Sequence, residues 1–125
     1  FSTALPPAAT AAAIQSVKLL LGSTEYTDRL WDNANYFKEK LSKLGFNTGH
    51  SETPITPVMI GSEAKTMQFS KALLEAGVYV SGIVFPTVPK GAGRLRVMIS
   101  ASHTKKNLDD AIKQFEIVGK KLELI

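Results

Sequence analysis

The chain has 125 residues, 44% of them hydrophobic, which predicts one folded domain with a substantial core. Its longest apolar stretch is broken by polar residues and is shorter than the roughly 20 residues that cross a bilayer, which argues against a membrane protein. A net charge of +4 with scattered cations argues against a nucleic-acid surface, and the lack of cysteine excludes thiol chemistry and is compatible with a cytoplasmic location.

Two helices are predicted at the start of the chain. The stretch 8–21 is rich in alanine and leucine, follows two prolines and stops at Gly22. Ser23 or Thr24 is placed to cap a second helix that runs to about residue 44. Apolar side chains recur in this helix at intervals of three and four residues, which predicts a stripe that faces the core: Leu30, Trp31, Ala34, Phe37, Leu41 and Leu44.

Three short strands and two further helices follow. The strands are predicted at "ITPVMIG", "VYVSGIVF" and "RLRVMIS". Pro57 makes the first an edge or irregular strand, because proline has no N–H to donate to a neighbour. Ser62 and Thr104 are placed to cap the helices that follow the first and third strands. The order α-α-β-α-β-β-α predicts an α+β fold: two helices, then a small, mainly antiparallel three-stranded sheet covered by helices on one face.

The stretch "FPTVPKGAGRLRVMIS" carries the strongest candidate site. Side chains alternate along a strand, so Arg94 and Arg96 share one face while Leu95 and Val97 share the other, which is apolar. Two interpretations stay open: a solvent-facing sheet edge, or an anchor for a carboxylate, whose geometry matches the planar donors of a guanidinium. One arginine suffices for such an anchor. The second could balance an acidic neighbour or hold carbonyl groups of the preceding loop.

Other kinds of site have little support in the sequence. His50 and His103 are far apart and neither belongs to a ligand-spaced pair, so no metal site is expected. No serine stands in a nucleophile-elbow pattern. The segment "KGAGR" lacks the spacing of a phosphate-binding loop and leads into a strand, so a turn is the better interpretation. For His103, capping or packing of the strand end is preferred to a chemical role.

Four segments together resemble the C-terminal part of the α-oxoamine synthases: "FSTALPP", "ITPVMIG", "GIVFPTVPKGAGRLRVMISASHT" and "DDAIKQFEIVGKKL". These enzymes are pyridoxal-phosphate-dependent acyl-CoA transferases with the aspartate aminotransferase fold, and the resemblance covers essentially the whole chain. It implies a homodimer in which residues 1–22 connect to a large cofactor domain and residues 23–125 form the small C-terminal domain. It also implies that the cofactor-binding lysine, aspartate and histidine lie upstream of Phe1, so that this chain alone has no catalytic residue and is inactive.

The same resemblance implies roles for individual residues. Arg96, the second arginine of "RLR", matches the residue that binds the amino-acid carboxylate, and Arg94 is the second candidate. Thr87 matches a loop residue that lines the acyl and substrate pocket. Ser2 and Thr3 match the stretch that reaches the cofactor phosphate of the neighbouring subunit.

Three functions stay open at this point. The motifs favour the glycine C-acetyltransferase reaction, which condenses glycine with acetyl-CoA to 2-amino-3-oxobutyrate and CoA in threonine and glycine metabolism. The alternative within the family is the 8-amino-7-oxononanoate synthase reaction of the biotin pathway, which takes L-alanine and a longer acyl-CoA and releases carbon dioxide. The third is a free-standing, non-enzymatic α+β module whose arginines recognise an acidic partner.

Overall fold

The computed structural model describes residues 3–125, and in this part of the chain there are four helices and three strands. They are α1 (Pro7–Gly22), α2 (Glu25–Lys43), β1 (Ile55–Gly61), α3 (Glu63–Glu75), β2 (Ser81–Ile83), β3 (Gly93–Met98) and α4 (Lys105–Lys121). The predicted element order and α+β class are confirmed. Within residues 3–125 no helix is long and apolar enough to cross a membrane, and no group of three or more histidine, aspartate or glutamate side chains could hold a metal ion.

The sheet has the strand order β1-β3-β2, and both pairs are antiparallel. Pro57 therefore lies in an edge strand, as predicted. The strand that carries the arginines is the central one, because Ser81–Ile83 pair with its other side, so the interpretation as a sheet edge is wrong. Alternation places Val58 and Leu95 on the buried face, where both are fully buried.

The core lies between the buried face of the sheet and helices α2, α3 and α4. Four phenylalanine rings meet at its centre with centroids 5.5 to 5.9 Å apart, most of them edge to face: Phe37, Phe46, Phe69 and Phe115. Helix α3 packs directly on β3 at Gly93, where a Cβ atom would stand 2.6 Å from Oγ1 of Thr66. This close approach fixes the start of α3 against the middle strand of the sheet.

Helix α1 forms as predicted but none of its residues is buried. Leu19, Leu20 and Leu21 are 50 to 83% exposed. The core is therefore built without α1, from α2, α3, α4 and the sheet.

The apolar stripe of α2 is shorter than predicted. Ala34, Phe37 and Leu41 are buried, whereas Trp31 is 41% exposed, so its placement in the core is wrong. No residue of α2 before Asn33 is buried, so the first two turns of the helix lie outside the core. The second strand is also shorter than the eight residues of "VYVSGIVF", because only Ser81–Ile83 pair with β3.

The predicted caps of α3 and α4 are made, and of the two residues predicted to cap α2 only Ser23 accepts a backbone N–H. The hydroxyl of Ser62 accepts from the Lys65 N–H, and Thr104 takes part in a complete capping box at the start of α4. Thr24 makes no cap bond: its backbone is helical, unlike that of a capping residue, and its hydroxyl donates to Asp28. At that helix start it is the Ser23 hydroxyl that accepts a backbone N–H, from residue 25 at 3.1 Å.

Candidate functional site: the exposed face of the sheet

Arg94 is tied to the loop that precedes its strand. It is half-buried and lies across from Met59 of β1 and Ile83 of β2. Its Nε donates to the carbonyl of Ala92 at 3.3 Å. Holding a loop carbonyl is one of the two roles expected for the arginine that does not bind substrate.

Arg96 lies on the same face of β3, two residues further from the loop. It is exposed and stands across from Pro57 and Ser81, neither of which carries a charge. Among residues 3–125 its guanidinium has no hydrogen-bond or ion-pair partner, so no acidic side chain of this part of the chain neutralises it. A guanidinium held on a central strand with its donors free is suited to a planar anion such as a carboxylate.

A cavity of about 820 Å³ opens beside Arg96. Its walls come from the chain before β2, the end of β3 and helix α4, and Tyr79, Met98, His103 and Lys113 all border it. The volume lies within the range of small-molecule sites, and the walls combine apolar surface with a few polar groups, as such sites do. Of the two arginines, only Arg96 lines this cavity.

The loop between β2 and β3, residues 84–92, carries Thr87. Thr87 is exposed, and its N–H donates to the carbonyl of Val84 at 3.0 Å, which forms a turn. The strand pair nearest the loop joins Ile83 to Arg94, so the structure brings Thr87 to the Arg94 end of β3 rather than to Arg96. The loop that carries Thr87 therefore joins β3 at the end where Arg94 lies, and Arg96 lies two residues further along the same face of the strand.

Glu63 is a residue of this region that the sequence did not indicate. Its Oε1 accepts the N–H of Gly91 at 2.8 Å. This hydrogen bond from Gly91, together with one from the N–H of Glu63 itself, holds the pKa of the Glu63 carboxyl below its usual value. The two residues are 28 positions apart, and no local pattern pairs them.

His103 closes the turn after β3. Its Nδ1 accepts the N–H of Ser100 at 3.2 Å. The side-chain amide of the buried Asn33 donates to the carbonyls of both Ser100 and His103, at 3.1 and 2.9 Å. These contacts agree with the preferred role of His103 as a residue that caps the strand end.

Of the two residues expected at a cofactor phosphate, the structure describes one. Ser2 lies outside the described residues, and Thr3 is exposed. Of the lysines within residues 3–125, only Lys38 is half-buried, and it donates to the carbonyl of Ser51. Lys113 borders the cavity beside Arg96 and is exposed.

A profile of the aminotransferase class I and II family matches residues 1–115. The chain belongs to this family, whose members have the fold-type I architecture of pyridoxal-phosphate enzymes. Its relatives place it among the α-oxoamine synthases. The resemblance seen in the sequence is therefore confirmed at the level of family, fold and cofactor dependence of the family.

The individual relatives are named more narrowly. The chain is 64% identical over all of its 125 residues to an 8-amino-7-oxononanoate synthase of Alkaliphilus oremlandii and 62% identical to one of Treponema denticola. A serine palmitoyltransferase structure with a pyridoxal-phosphate internal aldimine superposes on the whole chain with a TM-score of 0.93 at 32% identity. The chain spans about a third of the length of each of these proteins, 32% in every case.

These relatives favour the alternative reaction over the glycine C-acetyltransferase reaction that the motifs led us to expect. The motifs "PTVPKG", "RLR" and "SASHT" form the loop, the arginine strand and the turn at His103.

Proposed function

We propose that this chain is the C-terminal part of a pyridoxal-phosphate-dependent 8-amino-7-oxononanoate synthase. Residues 1–22 would connect to the large cofactor domain and residues 23–125 would form the small domain. The observation that carries the proposal is the 64% identity, over every residue of the chain, to a protein of that name. The whole enzyme would join L-alanine to pimeloyl-CoA and release CoA and carbon dioxide, in a cytoplasmic setting.

The contribution of this chain would be to bind and orient the amino acid. Arg96 presents free guanidinium donors from a rigid central strand, and a bidentate pair with the substrate carboxylate would fix both its position and its rotation. Arg94 is less suited to that role, because its Nε already donates to Ala92. The cofactor, when bound, supplies an electron sink for a carbanion next to the amino group.

The rest of the active site would come from outside this chain. The covalent lysine would lie in the large domain, and Ser2 and Thr3 would reach the cofactor phosphate of the neighbouring subunit in a homodimer. The exposure of Thr3 and of the whole of α1 within residues 3–125 is consistent with surfaces that pack against other parts of a larger assembly. Thr87 would line the acyl side of the pocket.

Substrate competition in the full-length enzyme tests the proposal. We expect kcat/KM with L-alanine and pimeloyl-CoA to exceed that with glycine and acetyl-CoA by at least about a hundredfold, since both the acyl chain and the amino-acid side chain differ. Serine with palmitoyl-CoA is the third pair, because a structural relative carries that activity in its name. The product is identified by mass spectrometry. A preference for glycine and acetyl-CoA would overturn the proposal and restore the reaction first expected.

A further inference from the structure

The loop of residues 84–92 has little internal structure of its own. Its backbone hydrogen bonds are short-range ones, from Thr87 and Val88 to the carbonyl of Val84 and from Ala92 to the carbonyl of Pro89. Most of its side chains, Thr87 among them, are exposed. The position of Thr87 therefore depends on how the loop is attached to the rest of the protein.

Three contacts attach the loop or close it on itself. The Nζ of Lys90 lies 5.3 Å from the ring centroid of Phe85, which links the two arms of the loop. On the side of β3, Arg94 holds the carbonyl of Ala92. On the side of α3, the carboxylate of Glu63 accepts the N–H of Gly91 at 2.8 Å. Of the three, the Glu63 contact is the one that joins the loop to an element other than β2 and β3, the two strands that flank it.

Glu63 is well placed to act as a fixed point. It is the first residue of α3, whose start is held by the Ser62 cap and packs on β3 at Gly93. Gly91 has a φ of +76°, a conformation that other residues rarely adopt, so the N–H that Glu63 accepts is directed by a turn that only glycine forms without strain. A hydrogen bond to a charged acceptor is stronger than one between neutral groups. The lowered pKa of the carboxyl agrees with this contact.

We propose that Glu63 is a positioning residue for acyl-CoA: by holding Gly91 it fixes the loop of residues 84–92 and so places Thr87 against the acyl substrate. This inference rests on the proposed function, in which the loop lines the acyl pocket. It separates two tasks in the binding of the two substrates. Arg96 orients the amino acid, and Glu63 acts through the loop on its acyl partner.

The kinetic test uses the full-length enzyme with three variants. In Glu63→Ala we expect the KM for pimeloyl-CoA to rise about tenfold, the size expected for the loss of one hydrogen bond to a charged acceptor, with kcat and the KM for L-alanine within about twofold of the parent enzyme. Glu63→Gln keeps an acceptor oxygen and should recover most of the loss. Glu75→Ala is the matched control at the other end of α3, where the exposed Glu75 carboxylate is 4.0 Å from Lys71, and it should change nothing.

A second measurement follows the loop directly, by hydrogen exchange of peptides that cover residues 84–92. In Glu63→Ala we expect exchange in the loop to become about tenfold faster, while peptides of β1 and β3 keep their protection. Unchanged exchange in the loop would contradict the proposal that Glu63 holds the loop through Gly91, whatever the kinetics. Faster exchange with an unchanged KM for pimeloyl-CoA would contradict the role in acyl positioning.

The same pair of measurements distinguishes this inference from the proposed function. A parent enzyme that is inactive with every pair of amino acid and acyl-CoA would overturn the proposed function and the acyl role of Glu63 together. The exchange data would still report whether Glu63 holds the loop. An active parent enzyme with a kinetically silent Glu63→Ala variant would overturn the role of Glu63 alone.

Discussion

Arg94 and Arg96 share the exposed face of the central strand but differ in what they hold. The guanidinium of Arg94 donates to the carbonyl of Ala92, whereas that of Arg96 has no hydrogen-bond or ion-pair partner within residues 3–125 and borders the cavity beside α4. The two side chains are separated by one residue and have the same chemistry. Arg94 therefore stabilises the loop, whereas the guanidinium of Arg96 has its donors available for a ligand.

The free arginine leads to a prediction for the amino-acid substrate. In the full-length enzyme, Arg96→Ala should raise the KM for the amino acid by about a hundredfold, because a charge-assisted bidentate pair is lost, while the visible absorbance of the bound cofactor stays unchanged. Arg96→Lys should also be impaired, since a point charge does not reproduce the fork of donors.

Arg29→Ala is the matched control for this experiment. Arg29 is an exposed arginine of α2 whose partner, Glu25, is 3.7 Å away across one helical turn. Pairs of this kind contribute little, so its kinetics should match those of the parent enzyme. Amino-acid kinetics that are equally unaffected in Arg96→Ala would exclude the anchor role.

The contact between α3 and β3 leads to a prediction for stability. Gly93→Ala would place a Cβ atom 2.6 Å from Oγ1 of Thr66 and 3.0 Å from the carbonyl of Gly61, which should destabilise the domain by about 1–3 kcal/mol. The measurement is hydrogen exchange of β1 and β3 in the full-length protein, where protection should fall. Gly22→Ala is the control, because nothing lies within 4 Å of the added atom. Equal protection in both variants would show that α3 can move away from β3 without cost.

The helix caps allow a comparison of two threonines at equivalent positions. Thr104 accepts the N–H of Asn107 at the start of α4, so Thr104→Ala should destabilise that helix by about 1 kcal/mol. Thr24 stands at the N-cap position of α2 but makes no cap bond, so Thr24→Ala should cost clearly less. Hydrogen exchange in the first turns of α4 and α2 reports the two effects. A larger loss for Thr24 than for Thr104 would contradict the assignment of the caps.

The local structure could be predicted because it depends on neighbours in the sequence. Alternation along β3 correctly placed Leu95 in the core and both arginines opposite it, and the caps at Ser62 and Thr104 follow from residues three positions apart. Trp31 shows where this reasoning ends. It continues the helical spacing of Ala34, but no residue of α2 before Asn33 is buried, and helical spacing alone does not tell how far along a helix the core extends.

The candidate site follows the same division. The sequence by itself determined the element order and the face on which the arginines lie, since both are carried by residue types at short, fixed spacings, and the resemblance of four segments to a known family indicated the family. Tertiary structure alone decided that the arginine strand is central, that Arg94 and not Arg96 is tied to the loop, and that Glu63 holds Gly91. Each of these depends on strand register or on the placement of α3 against β3, which join residues far apart in the chain through packing that no local pattern records.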